Sequence, residues 1–82
     1  MSKLPLLSAN ELIKILQKIG FQKVRQEGSH IFLRHLDGRT TVVPNHPRED
    51  LDRGLLNKIV KKDLGMERDE FLRYVWLEMN NN

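Results

Sequence analysis

The dipeptide Asp37-Gly38 constrains the fold of this chain more than any other feature, because two short runs with strand character flank it. His30 to His35 carries three apolar residues in succession, and Thr40 to Val43 consists of β-branched residues. An Asp-Gly pair between such runs is the strongest short hairpin signal in the chain. The sequence therefore predicts an antiparallel hairpin, which Pro44 ends because proline has no N–H to give to the ladder.

A third strand is predicted before the hairpin, from Phe21 to Gln26. The turn signal Glu27-Gly28-Ser29 separates it from the strand that begins at His30. Because short turns join strands that are neighbours in a sheet, the three strands are expected to form an antiparallel meander.

Side-chain alternation along the middle strand decides which residues face the core, since successive side chains point to opposite faces of a sheet. Ile31 and Leu33 are the natural core pair, so His30 and Arg34 face outward with Phe32 between them. Phe32 is interpreted either as a stacking platform for a nucleobase or as a ring that packs under a loop or against a partner.

Three amphipathic helices are predicted around these strands. Ser8-Ala9-Asn10-Glu11 fits a capping box that opens a helix over about residues 9–19, and Gly20 supplies its left-handed stop. A second helix is predicted from about Asp52, its N-cap, to Asp63, and a third from about Arg68 to Glu78. The apolar stripe of the third helix comprises Phe71, Leu72, Val75 and Met79.

The predicted order is α-β-β-β-α-α, an α+β fold with a three-stranded antiparallel sheet. The helices are expected to lie together on the apolar face of the sheet, because that face would otherwise be exposed to solvent. The other face of the sheet remains open. A chain of 82 residues should form a single domain over residues 1–82, with a core from about 9 to 78 and a frayed tail from 79 to 82.

Composition narrows the function without fixing it. The net charge of +3 favours a polyanionic partner, although many soluble proteins are equally basic. The absence of cysteine excludes disulfides and thiolate metal sites. The N-terminal residues lack the apolar run of a signal peptide, and no segment approaches the roughly 18 apolar residues of a membrane span, so a cytoplasmic protein without a membrane partner is expected.

Histidine is the first candidate for acid–base chemistry in a chain without cysteine. His30 follows Gly28-Ser29, where turn amides could bind a phosphate while the imidazole moves a proton. The alternative is an ordinary surface histidine beside a turn. His35 is expected to be structural or solvent-facing. His46 is expected to be an ordinary loop residue, and the alternative is that it positions a ligand at the N-terminus of the second helix. No metal site is expected, because the spacing of the three histidines matches no local ligand motif.

Basic residues form the second candidate set. Arg53, Asn57 and Lys61 recur at i, i+4 spacing, and such a stripe either follows a phosphate backbone or is a solvated helix face. Trp76 and Leu77 lie off the stripe of the third helix, where an exposed apolar patch would fit a protein partner. The candidate RNA-binding residues are Lys23, Arg25, Arg34 and Arg39 on the strands and hairpin, and Lys58 and Lys61 on the second helix.

Several ordered motifs together resemble the HicA toxins of bacterial and archaeal toxin–antitoxin pairs. They are "KIGFQKVRQEGSH" at the end of the first helix, "RHLDGRTTVVPNH" across the hairpin, and "LDRGLLNKIVKKDLGMERDEFL" over the second helix and beyond. The resemblance covers about residues 9–75. It implies a fold similar to double-stranded-RNA-binding domains and an mRNA interferase, an endoribonuclease that blocks translation and growth until a HicB-like antitoxin covers its active site.

The resemblance also assigns a catalytic residue, the histidine that follows Gly-Ser, which here is His30. Gly28 belongs to the same motif, and Ser29 helps to shape the turn. Many relatives have a second histidine next, where this chain has Ile31, which argues against a mechanism that needs a histidine pair. A monomeric toxin without metal or other cofactor is implied. The alternatives are a non-catalytic RNA-binding module and a protein-interaction domain whose charge is incidental.

Overall fold

The computed structural model describes residues 3–80 of the chain. Its elements are α1 (Ala9–Ile19), β1 (Phe21–Glu27), β2 (His30–His35), β3 (Thr40–Pro44), α2 (Arg53–Lys58), a π-helical turn (Ile59–Asp63) and α3 (Arg68–Met79). The predicted α+β class and the order α-β-β-β-α-α are confirmed, and both are consistent with a double-stranded-RNA-binding type of fold. None of the helices in residues 3–80 is long and apolar enough to cross a membrane.

The strands form one antiparallel sheet in the order β1-β2-β3, which confirms the predicted meander. β1 runs one residue further than predicted, to Glu27, and Pro44 is the last residue of β3. The register between β1 and β2 shifts between Lys23 and Arg25, so Val24 forms a bulge. A bulge bends its strand and changes where the side chains beyond it point.

Helix α1 begins and ends as predicted. The Ser8 hydroxyl accepts from the Glu11 N–H at 3.2 Å, and the Glu11 carboxylate accepts from the Ser8 N–H at 2.9 Å, which completes the capping box. Gly20 ends the helix with φ of 124°. A Cβ at this position would lie 2.6 Å from His35 Nε2, so both the backbone conformation and the space beside it require glycine.

The second helix differs from the single helix predicted to reach Asp63. Its N-cap is Asp52, whose carboxylate accepts from the Leu55 N–H at 3.1 Å, but α-helical geometry ends at Lys58. The π-helical turn that follows is closed by a 2.8 Å bond from the Leu64 N–H to the Ile59 carbonyl. Residues five apart lie about 140° apart on an α-helix. The wider π-helical turn brings both Ile59 and Leu64 onto the buried side of the helix, where each is at most 1% exposed.

The core fills the space between the helices and one face of the sheet, as the open-face arrangement requires. Helix α3 contributes to it through Phe71 and Val75 but not through Met79, which was predicted on the buried stripe and is 55% exposed. Met79 closes the last turn of α3, beyond the core. The buried residues of these elements include Leu12, Ile15 and Leu16 of α1, Phe21, Ile31, Leu33 and Val43 of the sheet, Leu56, Ile59 and Val60 of the second helix and its turn, and Phe71 and Val75 of α3.

The C-terminal part of α3 is the least buried part of that helix. Trp76 and Leu77 are 63% and 46% exposed, as their position off the apolar stripe predicted. Two residues of the tail predicted from 79 to 82 belong to α3 instead. Met79 is the last residue of the helix and Asn80 is its C-cap, with Asn80 Nδ2 donating to the Trp76 carbonyl at 2.8 Å. Residues 81 and 82 lie outside the described residues.

Candidate functional site

The turn between β1 and β2 is held from both sides. Gly28 has φ of 58°, a left-handed conformation that favours glycine, and a Cβ there would meet nothing within 4 Å. The Gln26 side chain donates to the Gly28 carbonyl at 3.0 Å, and the Asn45 N–H donates to the Ser29 carbonyl at 2.6 Å. The turn is therefore anchored to β1 and to the loop after β3, while its outer side stays open.

His30 begins β2 directly after this turn, and its side chain is exposed. Its strand partners are Glu27 on β1 and Pro44 on β3. The next residue, Ile31, is only 3% exposed and belongs to the core, so His30 points away from the helices. An exposed imidazole on a fixed strand start can reach a large ligand from solvent.

Two predicted arginines lie on the same open face as His30. Arg25 pairs with Phe32 across the strands, and its guanidinium carbon lies 4.3 Å from the centroid of that ring. Arg34 is exposed two residues beyond Phe32, where its partners are Gln22 and Thr40. Alternation along β2 is thus confirmed, and the open face carries an imidazole, an aromatic ring and two guanidinium groups.

Glu27 is a residue of this face that the sequence reasoning missed. Its carboxylate accepts from Arg25 Nε at 2.9 Å, and the residue pairs directly with His30. A signal was available: a two-residue loop at Gly28-Ser29 pairs the residue before it with the residue after it. The open face therefore also carries an acidic side chain next to the candidate catalytic histidine.

The structure does not bring Lys23 and Arg39 to this face. Lys23 pairs with the buried Leu33, on the face where the helices lie. Arg39 folds back on its own turn: its Nη2 lies 2.8 Å from Asp37 Oδ2, and its Nη1 donates to the Leu64 carbonyl at 2.6 Å. Hydrogen bonds from Arg39 hold the pKa of the Asp37 carboxyl below its usual value. Arg39 thus ties the hairpin to the end of the π-helical turn.

The helical layer carries the remaining predicted basic residues. Lys61 is exposed, and so are Arg53 and Asn57 of the predicted stripe. Lys58 Nζ lies 3.3 Å from the Asp63 carboxylate, which also accepts from the Thr41 hydroxyl at 2.9 Å. These cations therefore lie on the opposite side of the sheet from His30.

The other two histidines have separate surroundings. His35 Nε2 lies 3.3 Å from the Ile19 carbonyl, and its ring packs edge-on against Phe21, so its role is structural, one of the two roles expected for it. His46 is exposed and lines a cavity with three acidic residues, Glu49, Asp50 and Asp52. Among residues 3–80, no group of three or more histidine, aspartate or glutamate side chains could hold a metal ion.

Comparison with known proteins identifies the family. The family model described as the HicA toxin of bacterial toxin–antitoxin systems matches residues 9–66, which run from the start of α1 past the π-helical turn and leave out α3. No individual curated protein matches the chain significantly. The matched part covers more than two thirds of the chain and includes the Gly28-Ser29-His30 turn, the hairpin and the second helix. The chain therefore belongs to the HicA toxins of bacterial toxin–antitoxin systems.

Proposed function

We propose that this HicA toxin is a metal-independent endoribonuclease that cleaves mRNA through His30 and is neutralised by a HicB-like antitoxin. The observation that carries the proposal is the exposed imidazole of His30, fixed at the start of β2 on the open face of the sheet. Arg25 and Arg34 lie on the same face, so a proton-transfer group and two cations meet one accessible surface.

RNA can be cleaved without a metal because its ribose carries an internal nucleophile. The 2′-oxygen forms a bond to the adjacent phosphorus while the bond from phosphorus to the 5′-oxygen breaks. A base takes the proton from the 2′-hydroxyl, and an acid gives a proton to the departing 5′-oxygen. The imidazole of His30 supplies one of these proton transfers, because a histidine side chain exchanges protons near neutral pH.

The pentavalent phosphorus of the transition state carries extra negative charge, which cations stabilise. Arg34 supplies such a charge. It lies four residues after His30 in β2, on the same face of the sheet. Gly28 and Ser29 hold the turn that presents the imidazole. Lys58 and Lys61, on the helical layer, attract the RNA backbone without contacting the phosphate that is cleaved.

Expression in bacteria tests the role of His30 directly. We expect the wild-type chain, induced from a tightly repressed promoter, to stop growth and to deplete intact mRNA. His30→Ala should allow growth and leave mRNA intact. His46→Ala is the matched control, since it removes an exposed histidine outside the proposed site, and it should remain toxic. The catalytic assignment would be overturned if the wild type and His30→Ala arrested growth equally, or if neither of them arrested growth.

The same experiment separates the toxin from a non-catalytic RNA-binding module. A module that only binds RNA leaves mRNA intact whether or not His30 is present. Co-expression of the HicB-like antitoxin should restore growth and intact mRNA to cells that express the wild-type toxin.

A further inference from the structure

A shallow groove of about 450 Å³ crosses the open face of the sheet, and its lining begins at Phe32, two residues along β2 from His30. Its apolar lining includes a residue from each strand that is not buried in the core: Val24, Phe32 and Val42. Arg25 and Arg34 line it as well. The groove therefore combines apolar side chains with two guanidinium groups.

The bulge in β1 contributes to this floor. Because the register shifts between Lys23 and Arg25, Val24 is displaced from regular pairing and stays 50% exposed while it lines the groove. Phe32 lies at the centre, paired with Arg25 on one side and Val42 on the other. The groove thus has an aromatic ring in the middle and aliphatic side chains beside it.

The two arginines of the groove differ in their contacts. The Arg25 guanidinium is held over the Phe32 ring at 4.3 Å, and its Nε is bonded to the Glu27 carboxylate at 2.9 Å. A guanidinium plane held in this way can stack on a flat ring. Arg34 makes no ion pair with any side chain in residues 3–80, so its charge is available to an anion from outside the chain.

We propose that this groove binds an unpaired nucleobase of the RNA substrate, with Arg34 on the phosphate next to it. Bases of single-stranded RNA can stack on aromatic side chains and on arginine planes, whereas bases inside a duplex are already stacked on their neighbours. Phe32 is two residues from His30 along β2, about 6.6 Å, so the bound base belongs to a nucleotide beside the cleaved phosphodiester. The inference rests on the proposed function and names a substrate subsite for it: single-stranded RNA, bound through one stacked base.

An RNA that cannot be cleaved allows binding to be measured apart from catalysis. The probe is a fluorescein-labelled hexanucleotide with 2′-O-methyl riboses, which lack the nucleophilic hydroxyl, and binding is followed by fluorescence anisotropy. A matched set replaces each base in turn by an abasic site. Phe32→Leu keeps an apolar side chain but removes the stacking ring, and Arg25→Lys keeps the charge but removes the guanidinium plane. Trp76→Leu, which removes an exposed aromatic ring from α3, is the control.

We expect Phe32→Leu to weaken binding by at least about fivefold, the lower end of what one stacked base contributes, and Arg25→Lys to weaken it in the same direction. One abasic position should weaken binding to the wild type by a similar factor and have no further effect on Phe32→Leu. Trp76→Leu should bind like the wild type. Unchanged melting temperatures would show that the variants are folded.

Two results would overturn the proposal: wild-type affinity in Phe32→Leu, or equal affinity of the wild type for every abasic probe. If Phe32→Leu lost affinity for the antitoxin while its RNA binding stayed at the wild-type level, the groove would be a protein interface and the proposal would be wrong. A different result would contradict the proposed function. In that case the wild type would not cleave RNA, although its binding of the uncleavable probe would still depend on Phe32.

Discussion

His30→Ala is expected to lower the rate of RNA cleavage by about 100- to 10,000-fold, the range that one positioned proton-transfer group contributes. The loss should leave the fold intact, because the side chain is exposed and supports no core residue. The free energy of unfolding should change by no more than about 0.5 kcal/mol. Initial rates on a labelled RNA, in buffer with EDTA, measure the first effect, and denaturant unfolding measures the second.

His46→Ala provides the comparison for this variant. It removes the same imidazole from another exposed position, on a cavity whose lining includes three acidic residues, and should cleave RNA at the wild-type rate. Wild-type cleavage by His30→Ala would remove His30 from the chemistry. A wild-type rate that disappears in EDTA would show that a metal ion takes part and would contradict the metal-independent proposal.

Phe71→Ala is expected to destabilise the protein by about 3–5 kcal/mol, the usual cost of truncating a buried phenylalanine. Phe71 is fully buried, although α3 lies outside the part of the chain that the family model matches. A domain of this kind has only about 5–15 kcal/mol of stability, so the variant should lose a large share of it. Guanidinium unfolding of the wild type and the variant measures the difference.

Two further variants keep this prediction testable if Phe71→Ala does not fold. Phe71→Leu retains most of the apolar volume and should cost less than about 1.5 kcal/mol. Trp76→Ala, on the exposed side of the same helix, should change stability by no more than about 0.5 kcal/mol. If Phe71→Ala unfolded at the same guanidinium concentration as the wild type, α3 would be peripheral rather than part of the core.

Local signals in the sequence predicted most of the fold. The capping box of Ser8 and Glu11, the turn at Asp37-Gly38 and the alternation of Ile31 and Leu33 each act within a few residues. The structure places each of them as expected, because capping, turn geometry and side-chain alternation depend little on distant contacts.

Features that depend on distant contacts were not predicted. The π-helical turn exists because Ile59 and Leu64 both belong in the core, and a helical pattern alone does not show that. The bulge at Val24 has no signal in its own residues. Arg39 was grouped with surface cations on its charge, yet its partners include the Leu64 carbonyl, 25 residues away.

The candidate site was predictable only in part, for the same reason. Strand alternation placed His30, Phe32 and Arg34 on the open face, but it could not place Arg25 there, because the bulge sets the register beyond Val24. The catalytic role of His30 came from resemblance to the HicA toxins and not from the residues alone. It stays a prediction until RNA cleavage is measured.

The chemistry of the RNA ends tests the central claim most directly. Purified wild-type protein is incubated with a labelled RNA in EDTA, and the fragments are analysed by mass spectrometry. Attack by the 2′-hydroxyl, assisted by His30, should leave a 2′,3′-cyclic phosphate or its 3′-phosphate product on one fragment and a 5′-hydroxyl on the other. His30→Ala should form these ends at least about 100-fold more slowly. Fragments with a 3′-hydroxyl and a 5′-phosphate, or no fragments from the wild type, would contradict the account.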